Sequence, residues 1–218
     1  MCAVPNGASS KKHDTKRFRA RVAYDGTNFK GWQFQQEERS IQGEIEKAIE
    51  RKLCTRVRVV GASRTDSGVH ARGQSIHFDV PEQKAAREMC NMQKFEFTLN
   101  QLLPNDVILT KLELAPHVIH TAIPMFKQAS LKTIQEPKLR PWHSIFCSTG
   151  KLYTYRFSIA TNLDPMDRLY RYHEWRASRF GFSEQRLREA TERFLGSHDF
   201  SAFTNASHPP PGITPHYR

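Results

Sequence analysis

Residues 17–24 alternate. Phe18, Ala20, Val22 and Tyr24 fall on one side, with Arg17, Arg19 and Arg21 on the other. This period of two marks a half-buried strand with a basic outer face. The turn-forming run Asp25-Gly26-Thr27-Asn28 follows. Ser40 then offers an N-cap, Glu44 sits in a first turn, and Ile41, Ile45, Ala48, Ile49 and Leu53 recur at helical spacing. That spacing predicts an amphipathic helix over 41–53. Val57 and Val59 suggest a second strand over 57–63, and Ile76, Phe78 and Val80 a third over 74–80. Residues 83–102 read as a helix whose period blurs from Phe95 to Thr98. Residues 107–114 read as a fourth strand with Ile108, Leu112 and Leu114 on one face. The order β-α-β-β-α-β is the split βαβ, ferredoxin-like plan. It predicts one sheet with both helices on a single face. The second and third strands pair as a hairpin, joined by Thr65 to Gly73.

Residues 116–140 hold Pro116, Pro124 and Pro137 and show no period, as expected of a linker or insertion. Tyr153, Tyr155, Phe157 and Ile159 share a face of a strand over 151–159, and 168–175 suggests another. Ser183 caps a helix carrying Leu187, Ala190, Phe194 and Leu195, which Gly196 ends. The expected organisation is a basic flexible tail over 1–16, a ferredoxin-like half over 17–115, the insertion over 116–140 and a second half over 141–218. That second half begins like the first but lacks its closing elements.

Charge sharpens the picture. Thirty-three Lys and Arg against 22 Asp and Glu give +11, and residues 1–21 supply only +5 of it. A body this basic favours polyanionic partners, nucleic acid first, although a merely basic soluble protein has the same composition. The four cysteines are far apart with no CxxC pair, which argues against zinc and for reduced thiols inside the cell. His117 and His120 have an HxxH spacing but stand in the irregular insert without further ligands, so no metal is expected. No apolar run approaches the roughly 20 residues that span a bilayer. The N-terminus has no apolar core of a secretory signal. An intracellular location, cytoplasmic or nuclear, is expected. Lys11, Lys12 and Lys16 with one acid, Asp14, leave a mitochondrial or plastid address open.

The segment richest in chemistry is Gly61-Ala62-Ser63-Arg64-Thr65-Asp66-Ser67-Gly68-Val69-His70-Ala71-Arg72-Gly73-Gln74. One carboxylate stands among two arginines and a histidine at the mouth of the predicted hairpin. Positive neighbours favour an ionised carboxylate. An extended chain would put Arg64 and Asp66 on one face. The competing reading is a turn in which Asp66 caps backbone amides, since Asp-Ser-Gly is common turn chemistry.

Arg64 through Ala71 resembles the catalytic loop of the TruA-type tRNA pseudouridine synthases, which usually reads RTDAGVHA, with Ser67 as a mild departure. Other segments resemble that family in the same order. They are Tyr24-Asp25-Gly26-Thr27 with Phe29, Gly31, Trp32 and Gln33; Ile41-Gln42-Gly43-Glu44 with Ala48; and Leu99-Asn100 with Leu103-Pro104-Asn105-Asp106-Val107. Lys151-Leu152-Tyr153-Thr154-Tyr155 and Gly196-Ser197-His198-Asp199-Phe200 follow. The resemblance implies an α+β pseudouridine synthase fold. Two ferredoxin-like halves flank a central, mainly antiparallel sheet, the second half here being incomplete. It also implies isomerisation of uridine to pseudouridine in the anticodon arm of tRNA. No cofactor is needed, because the reaction has no group donor and no net redox change. The implied roles are Asp66 as the essential carboxylate, either adding to the ribose C1′ or removing its 2′ proton; Arg64 as its partner, holding the extruded nucleotide's place; and Tyr153 stacking on the uracil. On pattern alone, Tyr153 reads as core rather than site, and only the resemblance moves it. His70 reads as structural. The anticodon stem-loop is the expected partner, and a homodimer is allowed.

Two further departures stand out. Trp142-His143-Ser144-Ile145 replaces the family's Phe-His-Ala-Arg, with no arginine at Ile145, and no counterpart of the family's late Val-Arg motif is present. A C-terminally truncated chain is expected, and with it the alternative of an inactive paralogue or fragment that binds tRNA or other RNA. An RRM shares the element order, but Gly73 to Phe78 lacks its aromatic-rich third-strand pattern. An aspartic protease would need a second copy of Asp66-Ser67-Gly68, and none exists.

Overall fold

The computed structural model describes residues 14–119 and 139–203. They divide into two compact units between Leu152 and Tyr153.

In the first unit, strand β1 (Thr15–Tyr24) is followed by helix α1 (Ile41–Leu53), β2 (Val59–Gly61), β3 (Ala71–Pro81), α2 (Glu82–Met89), α3 (Met92–Leu102) and β4 (Val107–Leu114). The four strands form one antiparallel sheet in the order β2-β3-β1-β4. This is the split βαβ arrangement anticipated from the pattern. The apolar face of β1 packs with Ile41, Ile45 and Ile49 of α1 and Phe95 and Leu99 of α3 in a single core. Phe18 stacks on Phe78, its cross-strand partner, and meets Phe95 edge-on.

The helix expected over 83–102 is two helices. Asn91 leaves helical backbone, and its side chain accepts a 2.8 Å hydrogen bond from the Lys94 N–H. A capping side chain at that point outcompetes helix continuation. The expected inward face of β4 is also corrected. Lys111 adopts a positive φ of 55°, and the pairing with β1 slips between Arg19 and Arg21. This bulge shifts the alternation, so Val107, Leu109 and Leu112 are buried while Ile108 is 51% exposed.

The helix-free face of the sheet is partly covered by Trp142 and Ser144. Strands β5 (His117–Ile119) and β6 (Leu139–Pro141) pair antiparallel, and residues between them lie outside the description. His120 of the HxxH pair, the tail over 1–13 and the run after 203 fall there too. Ser144 then settles on buried His77. Its N–H donates to His77 Nδ1 at 3.2 Å, and its hydroxyl donates to the Val60 carbonyl at 3.0 Å. Arg19 lies over the Trp142 ring. Burial, helped by the positive charge of Arg17, pushes the His77 pKa down to about 4.

The second unit contains β7 (Phe157–Ser158), β8 (Tyr172–His173), α4 (Trp175–Phe180) and α5 (Glu184–Glu192). Ser183 caps α5 as expected. The strands are much shorter than expected: only two residues of 151–159 pair, in parallel with Tyr172–His173. None of the residues from 153 to 200 is buried. A two-stranded ribbon offers too little surface to bury the Tyr153, Tyr155 and Phe157 face.

Candidate active site

One end of the sheet gathers the loops that matter. Here β1 ends, β4 begins, and β2 turns into β3 through residues 62–70. Those residues have no regular structure, so neighbours must hold them. The segment after β1 does so. The Trp32 N–H donates to the Thr65 carbonyl at 2.9 Å, and the Gly68 N–H donates to the Phe29 carbonyl at 3.3 Å. The Ser67 hydroxyl donates to the same Phe29 carbonyl at 3.1 Å. The hydroxyls of Tyr24 and Thr65 meet at 2.8 Å. Burial holds the Tyr24 phenol above its ordinary pKa, the bond to Thr65 opposing this only partly.

Two glycines permit the close approach. A Cβ on Gly26 would overlap the Val69 carbonyl, and Gly31, at φ +91°, leaves no room for a side chain beside the Thr65 carbonyl. The clamping segment is itself anchored. Arg39 grips Asp106 through two hydrogen bonds of 2.7 and 2.8 Å and lies over the Phe29 ring. Such a planar fork on a carboxylate is both strong and directional. The Asp25 N–H donates to the Asp106 carbonyl, joining the start of β4 to the end of β1.

Within this frame Asp66 is exposed at the loop's tip. Its backbone carbonyl closes a turn by accepting the Val69 N–H at 3.2 Å. Among the described residues no hydrogen bond or ion pair engages its carboxylate. The expected turn is therefore present, but the side chain does not cap it. Arg64 is also exposed, and no Arg64–Asp66 ion pair occurs among the described residues. Arg21 and Arg72 add exposed cations at the same end of the sheet, Arg72 at a bulge where it and Gly73 oppose Ala23. His70 is tied into the frame: its Nδ1 lies 3.1 Å from the Gly26 N–H and 3.0 Å from an Asp25 carboxylate oxygen. Tyr153, the first residue of the second unit, is 79% exposed.

The hydroxyl pair Tyr24–Thr65 and the Arg39–Asp106 fork were not anticipated as site elements. The signal available was the last inward position of β1, where a tyrosine follows Phe18, Ala20 and Val22. Among the described residues, no cluster of three or more His, Cys, Asp or Glu side chains is placed to hold a metal. No described helix is long and apolar enough to cross a membrane.

An α+β unit with this sheet order, carrying an exposed aspartate on a clamped β2–β3 loop, matches a known class. Residues 20–118 match the family model of tRNA pseudouridine synthases. The chain is 37% identical over 190 residues to the tRNA pseudouridine synthase A of Maridesulfovibrio salexigens, covering 87% of this chain and 58% of that protein. It is 33% identical over 193 residues to that of Latilactobacillus sakei, covering 88% and 64%. With that of Bacillus subtilis it shares 32% over 192 residues, covering 87% and 64%. The chain is thus similar to tRNA pseudouridine synthases over most of its length. It spans about three fifths of the length of these relatives.

Proposed function

We propose that this chain isomerises uridine to pseudouridine in tRNA, with Asp66 as the essential carboxylate. The observation that supports this most is the placement of Asp66. The carboxylate stands exposed at the tip of a loop whose backbone is fixed by the neighbouring segment, open to an extruded nucleotide. A base inside a stem is out of reach and must be swung out to react.

The reaction balances without a donor. The N1–C1′ bond breaks, the uracil rotates, C5 bonds to C1′, the C5 proton departs and N1 gains one. Asp66 serves either by adding to C1′ or by taking the 2′ proton, and both roles need an anionic carboxylate. Arg64, exposed two residues away, supplies charge to the phosphates around the vacated position, and the resemblance gives Tyr153 the role of stacking on the uracil. The anticodon stem-loop is the proposed substrate region. Exposed Arg21, Arg64 and Arg72 would meet its backbone, so binding weakens with salt, the log–log slope being roughly −0.7 to −0.9 per neutralised phosphate. A homodimer would double this basic surface for one tRNA.

Incubation of the protein with unmodified tRNA, followed by nucleoside chromatography, tests the reading. Pseudouridine in the anticodon arm is expected. Salt-sensitive binding with no pseudouridine would leave only the RNA-binding alternative.

A further inference from the structure

The carboxylate of Asp66 makes no hydrogen bond among the described residues, so its aim is set by the backbone on either side. On the N-terminal side the anchor is Thr65, which is held twice: its carbonyl by the Trp32 N–H at 2.9 Å and its hydroxyl by Tyr24 at 2.8 Å. On the C-terminal side the Ser67 hydroxyl reaches the Phe29 carbonyl. Of these anchors only Tyr24 lies in regular structure. It is the last residue of β1, paired with Val107 on one side and Ala71 on the other, and its ring lies 6.2 Å from that of Trp32. It is 4% exposed, so the phenol cannot swing away without disturbing the core.

We propose that Tyr24 is a positioning residue for the reaction: its hydroxyl, bonded to Thr65, fixes where the Asp66 carboxylate points. This rests on the reading of Asp66 as the reacting carboxylate. A phenylalanine would fill the same space in the core, as Phe18 does further along the strand. What the tyrosine adds is one polar atom aimed at the residue before Asp66. Losing it leaves the Thr65 hydroxyl without its partner in a half-buried place. A reacting group displaced by about 1 Å can cost on the order of a hundredfold in rate, so a single anchor matters here.

The test uses Tyr24→Phe, Thr65→Val, Thr65→Ser and the double variant Tyr24→Phe/Thr65→Val, with two readouts. The first is hydrogen exchange at the Trp32, Gly68 and Val69 amides, which report the loop's bonds directly. The second is kcat and KM for pseudouridine formation. Expected for Tyr24→Phe and for Thr65→Val are several-fold faster exchange at these amides and a kcat about tenfold lower with KM within twofold. The double variant should be no worse than either single one, because one bond is removed in all three. Thr65→Ser, which keeps the hydroxyl, should restore both readouts. Unchanged exchange and unchanged kcat in Tyr24→Phe would overturn the proposal. So would additive losses in the double variant, or Thr65→Ser as impaired as Thr65→Val. If the unsubstituted protein forms no pseudouridine, the functional reading fails on its own. The exchange data then decide alone whether the Tyr24–Thr65 bond positions the loop, unchanged protection overturning it.

Discussion

Gly31 and Thr65 touch so closely that a Cβ on Gly31 would stand 2.6 Å from the Thr65 carbonyl oxygen. The contact places the segment after β1 directly against the backbone of the residue before Asp66, and Gly31 holds a positive φ to make it. Gly31→Ala therefore meets both a strained backbone and a rigid carbonyl. A loss of about 2–4 kcal/mol in unfolding free energy is expected, read from urea denaturation, with the β2–β3 loop displaced. Loss below about 0.5 kcal/mol would show that the two segments part without cost.

His77 sets an acid limit on the first unit. Its folded pKa of about 4 lies below the ordinary 6.5, because burial and the nearby charges of Arg17 and His143 disfavour the imidazolium, while Asp79 opposes them weakly. The unfolded chain therefore binds the proton more readily. The contribution is fully present above about pH 6.5 and is lost as pH falls toward 4. Its size is on the order of 1–3 kcal/mol. Stability measured between pH 7 and 4 should fall less steeply for His77→Gln than for the parent. Parallel slopes would mean that His77 protonates freely in the fold.

The two units should differ in protection. Phe18, Ile45, Phe78 and Phe95 are wholly or almost wholly buried, whereas no residue from 153 to 200 is. Amides in β1, β3 and α1 should exchange only on global opening, and those after Tyr153 faster by about a hundredfold or more. Equal protection on both sides of Leu152 would contradict this.

How far the pattern along the chain led depended on which forces set each element. The strands β1 and β3 and helix α1 follow from alternation and helical spacing because one face of each is buried in a single core. The break at Asn91 was missed, since a cap competes locally with a continuing helical period. The face of β4 was misread because one residue at positive φ, Lys111, inverts the alternation beyond it. In the site, the loop motif singled out Asp66 and Arg64. The hold on that loop comes from Trp32, Phe29, Gly26 and Tyr24, residues 33 to 43 positions from their partners in the sequence, and no local spacing encodes such contacts. Arg64 and Asp66, placed on one face by an extended chain, are both exposed with no ion pair between them among the described residues.

The central claim is that Asp66 supplies the reacting carboxylate. Asp66→Asn keeps the side chain's size and the backbone turn but removes the anion that either mechanism needs. In the protein carrying this sequence, the decisive measurement is pseudouridine formed in the anticodon arm of tRNA by the parent and by Asp66→Asn, alongside tRNA affinity at one fixed salt concentration. The account predicts pseudouridine from the parent, none above background from the variant, and affinities within a few-fold of each other. Clear turnover by pure Asp66→Asn would contradict it.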